Sequence, residues 1–206
     1  MSINIVSSGT GYANSLSNSL AVDKPDGSSF LLISVSYLPN TAQEIQSVKF
    51  GGADAEFIEI AQQDTSIGIS IWMVRDIENL SGNIEVVFDG QVFSVINYII
   101  LNGVNTDAPV YRTRSGVGKS ITHIPIKSFS KINCLAIGIG SVSNPNAHIS
   151  TLYGSQFRIF NVASNNLIST EAIAAFGSFD NAFINVPNSL SESSDWSIII
   201  IGLEAA

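Results

Sequence analysis

The sequence predicts an all-β chain, an antiparallel β-sandwich with little or no helix. Three observations predict it. Apolar residues recur at period two in runs rich in β-branched and aromatic side chains, the pattern of strands on a pleated sheet. Turn residues interrupt these runs about every ten residues, a spacing typical of sandwiches and barrels. The surface must also be built without many charges. Of the 206 residues, 45% are hydrophobic and only 13% charged, against about 25% charged in an ordinary soluble domain.

The strands follow in order. Residues 30–37 read F-L-L-I-S-V-S-Y, first continuously apolar and then alternating. Residues 67–74 read I-G-I-S-I-W-M-V, and 83–88 read N-I-E-V-V-F. Residues 92–101, V-F-S-V-I-N-Y-I-I-L, form the longest such run. Strands are also expected over 133–139, 156–162 and 196–203. The last is apolar on both faces, so it should lie inside a sheet rather than on its edge. Punctuation comes from Lys24-Pro25-Asp26-Gly27, Leu38-Pro39-Asn40, Gly51-Gly52, Ser81-Gly82-Asn83 and Asn144-Pro145-Asn146. Asp89-Gly90 reads as the turn of a hairpin, since both residue types tolerate positive φ. Residues 170–176, T-E-A-I-A-A-F, suit a helix capped by Ser169 or a strand of small residues, and the strand is preferred. Residues 1–15 read as a short strand over 3–7 followed by a flexible arm or loop, leaving 16–206 as a single sandwich domain.

Composition narrows the function. The formal net charge is -8, and the nine Lys and Arg are scattered. Nucleic-acid binding needs clustered cations to displace counterions from phosphates, so it is not expected. The nearest grouping is Arg112, Arg114 and Lys119. Cys134 is the only cysteine, so the fold has no internal disulfide and rests on its core. In its apolar run the thiol should be buried and inert. Met1-Ser2-Ile3-Asn4 opens no basic-then-apolar leader, so no Sec-type signal peptide is expected in this chain. No apolar run is long enough for a membrane-spanning helix, and membrane insertion is not expected. A low-charge, Ser/Asn-rich surface suits a protein that packs against copies of itself, because fewer charges need desolvating. It equally suits a plain neutral β protein.

Several phrases also arrive in a familiar order. Val22-Asp23-Lys24-Pro25-Asp26-Gly27 leads into an apolar strand. Val48-Lys49-Phe50-Gly51-Gly52 precedes a short strand, and Ile71-Trp72-Met73-Val74 is followed by Ser81-Gly82-Asn83. Leu101-Asn102-Gly103-Val104-Asn105 runs on to Pro109, and the series ends with Asn133-Cys134-Leu135 and Asp195-Trp196-Ser197. This order resembles a jelly-roll-type β-sandwich module found in bacteriophage structural proteins and bacterial surface proteins. Members often carry an Asp just before the first apolar strand, where this chain has Ser29 and Phe30. Without the resemblance, the residues still have physical roles. Pro25 and Gly27 shape a turn, and Gly51 and Gly52 permit unusual φ. Gly103, Asn105 and Pro109 suit a corner between sheets. Trp72 and Trp196 read as core anchors, or as exposed rings that stack on a sugar.

No catalytic motif appears: no phosphate loop, no G-x-S-x-G elbow and no H-E-x-x-H. His123 and His148 lie on separate segments without partner ligands at zinc spacing. Asp54, Glu56 and Glu59 could supply a carboxylate pair only with help from distant segments, and the alternation of Asp54 and Glu56 suits a solvated strand face. A loop Ca²⁺ site could draw on Asp76, Glu78, Asp89 or Asp180, although the dense spacing of a Ca²⁺ loop is absent. The expected ligand or interface contacts are Trp72, Asp76, Glu78, Arg112 and Arg114. No catalytic residue and no obligatory cofactor or metal is expected.

The expectation is a non-enzymatic structural subunit. The resemblance implies a bacteriophage virion component made in the host cytoplasm, such as a capsid decoration (cement), tail or fibre protein. Its partners would be copies of itself, for example in a closed trimer, and other virion proteins. The alternative is a carbohydrate-binding or adhesion module.

Overall fold

The computed structural model describes residues 2–38, 44–63, 66–119, 123–126, 130–143, 156–164, 168–178, 182–185 and 195–206. Its strands in chain order are β1 (Asn4–Ala21), β2 (Phe30–Leu38), β3 (Ile45–Phe50), β4 (Ala53–Asp54), β5 (Glu56–Gln63), β6 (Ile67–Arg75), β7 (Asn83–Asn102), β8 (Val110–Lys119), β9 (His123–Ile126), β10 (Ser130–Val142), β11 (Gln156–Ser164), β12 (Ile168–Ser178), β13 (Ala182–Asn185) and β14 (Asp195–Glu204). A single 3-10 turn, Ile77–Asn79, is the one helical element among the described residues. The all-β antiparallel sandwich is therefore the fold. Residues 170–176 lie within strand β12. The turn at Asn144-Pro145-Asn146, together with His148, Asp180, Pro39 and Asn40, lies outside the described residues, as do the side chains of His123 and Cys134.

The large sheet runs β4-β3-β7-β2-β6-β5, with β1 added along the remaining edge of β7. The small sheet runs β11-β12-β10-β14-β8. Strand β14 is thus central, as its two apolar faces require. The chain enters the small sheet at a corner, residues 103–109, between β7 and β8. Gly103 has φ 76°, and a side chain there would run into the Ser2 carbonyl oxygen. Only glycine combines that conformation with that approach. The corner is tied down where Val104 bridges Ala205 and Asn105 N donates to Glu204 O at 2.8 Å.

Strand β7 organises the large sheet. Its first part, Ile84 to Phe88, pairs with β3. Its second part, Phe93 to Leu101, pairs with β2. Strand β1 pairs with both parts along the opposite edge. The expected Asp89-Gly90 hairpin does not form, because β1 carries the ladder past it. Ser15 faces Val92 and Ser17 faces Val87, so residues 88–91 bulge opposite Leu16. Bulges bend and twist a sheet. Here the bend brings Leu20 back over Gly11, where any side chain would meet the leucine. The expected arm after a short first strand is likewise replaced by one 18-residue strand. Its Ser, Gly and Asn residues favour loops, but the long ladder to β7 prevails.

The curl gives the large sheet two apolar faces. On the inner face, Phe30, Leu32, Ile69, Ile71, Ile99 and Leu101 pack against Leu135, Ile137, Ala172, Ile199 and Ile201 of the small sheet. On the outer face, Leu31, Ile33, Val35, Tyr37 and Ile96 are sealed by Val48, Phe50, Ile84, Val86 and Phe88, which curl over from β3 and the start of β7. A hydroxyl belt crosses the inter-sheet space. Ser36 Oγ and Ser141 Oγ are 2.5 Å apart, and Ser141 Oγ lies 3.3 Å from Thr170 Oγ1. Ser197 Oγ donates to Ile67 O at 3.1 Å. Beyond the belt, Ile67, Phe93, Val95 and Ile168 close the core.

Candidate functional site

Strands β5 and β6 carry an aromatic patch on the outer face of the large sheet. Phe57 stands opposite Trp72, and their rings meet edge to face at 5.1 Å between centroids. A bulge between Phe57 and Glu59 shifts the alternation. It places Ile60, three residues on, opposite Ser70 on the same face as Phe57. Phe57 is 50% exposed and Ile60 44%. Trp72 is half-buried, and its Nε1 donates to Ser70 Oγ at 2.8 Å. Nearby, the Tyr37 hydroxyl donates to Gln62 Oε1 at 3.0 Å. Burial, reinforced by the Glu44 carboxylate, pushes the Tyr37 phenol up to about 12. The patch thus pairs exposed apolar rings with neutral hydrogen-bonding groups.

The five sequence-expected contact residues fall in three places. Trp72 belongs to the patch just described. Asp76 and Glu78 flank buried Ile77 in the turn after β6, with both side chains exposed. Asp76 adopts a left-handed conformation at φ 53°, and Lys24 Nζ donates to the Glu78 carbonyl oxygen at 3.0 Å. Arg112 and Arg114 are exposed on β8, opposite Gly202 and Ile200. They lie on the outer face of the small sheet, so the fold does not join them to Trp72. Between them, Thr113 points inward and its Oγ1 donates to Glu59 Oε2 at 2.8 Å, linking the neighbouring edges of the two sheets.

The carboxylates have separate partners. Asp54 pairs with Lys49 at 3.0 Å, and Glu56 with Arg75 at 2.7 Å. Asp89 Oδ1 accepts from Glu44 N at 3.0 Å, within the ladder-end contact that also joins Asp89 N to Glu44 O. Among the described residues, no three His, Cys, Asp or Glu side chains gather as metal ligands do. Trp196 is buried, unlike Trp72. Its indole lies over Gly116 and Gly118 of β8, and a side chain at Gly118 would collide with it.

Sequence reasoning missed Phe57, Ile60 and Tyr12 as exposed apolar positions. Alternation marks Phe57 and Ile60 as strand residues without separating an edge from a centre, and Tyr12 falls in a stretch that reads as a flexible arm or loop. Comparison of the chain with protein-family models, with curated proteins and with solved structures finds no match.

Proposed function

We propose that this chain is a non-enzymatic structural subunit, a bacteriophage virion component such as a capsid decoration, tail or fibre protein. It associates with copies of itself and with neighbouring subunits. One observation carries the reading. Among the described residues, the large exposed apolar side chains lie on strands at the sides of the sandwich: Val6, Tyr12 and Leu16 on β1, Phe57 and Ile60 on β5, and Val117 on β8. Lateral apolar positions on a low-charge surface suit a subunit that meets neighbours side by side. The acidic net charge of -8 disfavours adhesion to nucleic acid. The virion assignment itself rests on the motif resemblance. Light scattering behind a sizing column, over a range of concentrations, tests the reading. A mass of several chains, at any concentration in that range, supports it. A monomer at every concentration counts against it.

The Phe57–Trp72 patch favours a second reading, a carbohydrate-binding module. Aromatic faces beside Ser70 and Gln62 offer stacking and hydrogen bonds to a sugar. Trp196 is buried, so a sugar-dependent change in tryptophan fluorescence should come from Trp72. Fluorescence unmoved by a panel of mono- and oligosaccharides, with or without chelator, would dismiss this reading.

A further inference from the structure

Strand β1 differs from every other edge of the two large sheets. Edge strands expose unpaired backbone donors and acceptors, and proteins guard them with charges, prolines or short length. Strand β4 carries Asp54, β5 carries Glu56 and Glu59, β8 carries Arg112, Arg114 and Lys119, and β11 carries Arg158. Strand β1 spans 18 residues, and residues 1–22 contain no Asp, Glu, Lys, Arg or Pro. Among the described residues its only ladder partner is β7. Strand β11 comes near but does not join that ladder. Ser8, Thr10, Tyr12 and Asn14 remain exposed along one face, with Tyr12 at 54%.

We propose that β1 is a self-pairing edge: it joins β1 of a second copy in an antiparallel ladder about a twofold axis. This rests on the assembly reading above and names its contact surface. The charge distribution selects the occupant. Two copies each carrying -8 repel where their charged surfaces meet. The uncharged edge lets two β1 strands pair without setting charge against charge within the ladder. A twofold contact is also self-complementary, so one strand serves both partners. The bulges fix the register. They fall at Val6 and Leu16, leaving residues 7–15 as the regular stretch. Its middle residue is Gly11. Pairing centred there sets Ser7 against Ser15, Ser8 against Asn14, Gly9 against Ala13 and Thr10 against Tyr12. Nine residues on each side give a ladder about 30 Å long.

The test compares the unaltered protein with the double variant Thr10→Lys, Tyr12→Lys. In the proposed register each new lysine faces a lysine of the other copy, and like charges directly opposite destabilise a strand pair. The variant also lowers the magnitude of the net charge, so general repulsion cannot explain its dissociation. Light scattering should give an even number of chains for the unaltered protein and half that mass for the variant. Circular dichroism checks that the variant keeps its sheet content. Hydrogen exchange on the unaltered protein provides a reading that needs no variant. Amides within residues 7–15 should gain protection as concentration rises, while those of β5 do not change. An oligomer that keeps its mass in the folded variant, or an odd-numbered oligomer, overturns the β1 proposal and leaves the assembly reading standing. So does concentration-dependent protection confined to β5. A monomer at all concentrations overturns both.

Discussion

The two apolar cores on either side of β2, β6 and β7 are built from different stretches of chain. Among the described residues, the outer core, from Leu20 to Ile100, uses the first half alone. The inter-sheet core joins Ile3 through Val104 to residues 135–203 of the second half. The outer core needs only the curl of one sheet, driven by the shared bend of β1 and β7. The inter-sheet core needs two finished sheets to meet, and its hydroxyl belt makes their alignment specific. Equal burial can therefore conceal unequal order of formation.

The strongest way to break this comparison is kinetic. Phe50→Ala in the outer core and Ile199→Ala in the inter-sheet core should each cost several kcal/mol, about 3–5 and 2–5 respectively. Both residues are fully buried. Phe50→Ala should slow refolding, while Ile199→Ala should mainly speed unfolding, because contacts within one half close before contacts between halves. Stopped-flow chevrons measure both. Equal slowing of refolding would place the two cores in one nucleus.

The next effect appears at alkaline pH and belongs to the outer core. Below pH 10 the Tyr37 phenol is protonated in both folded and unfolded chains. Its folded value is raised to about 12, so between pH 10 and 12 the unfolded chain loses the proton first. Stability should fall across that window by roughly 2 kcal/mol relative to a Tyr37→Phe variant. Urea melts of both proteins from pH 9 to 12 check it, and parallel curves would refute it.

A smaller effect sharpens the inter-sheet side. Ser141→Ala leaves the buried Ser36 and Thr170 hydroxyls without their shared partner and should cost about 1–2 kcal/mol. A double-mutant cycle with Ser36→Ala should show that the two losses are not additive. Smallest of all is Glu56→Gln at the exposed pair with Arg75. It should change stability by about 0.5 kcal/mol or less, since Arg75 also donates to Thr106 O.

Much of the fold was legible because strand signals are local. The apolar runs of β2, β6 and β14 and the Gly103–Pro109 corner lie where periodicity and turn chemistry place them. Strand β1 was legible only over its first residues, within 3–7, because its later Ser, Gly and Asn residues are strand-forming only against β7. Asp89-Gly90 misled for a similar reason: a sound turn dipeptide becomes a bulge when a neighbour bridges both flanks. Among candidate contacts, Trp72 was placed correctly on an apolar strand, yet its exposure depends on β5 being an edge. The edge position of β1 is equally a property of pairing. The absence of charge in residues 1–22 was written in the sequence, but it acquires meaning only at an unpaired ladder.

The passage from large sheet to small at residues 103–109 has a consequence for biosynthesis. The ribosome delivers β1 to β7 first, and at about 5–20 residues per second the second hundred residues follow over roughly 5–20 s. During that interval the outer core can seal. The opposite face, with Phe30, Leu32, Ile69, Ile71 and Leu101, still waits for its cover. The nascent first half is thus a half-clad sheet, sticky on one side. A cell that makes many copies at once risks joining the open face of one chain to that of the next before either receives its own β10 to β14.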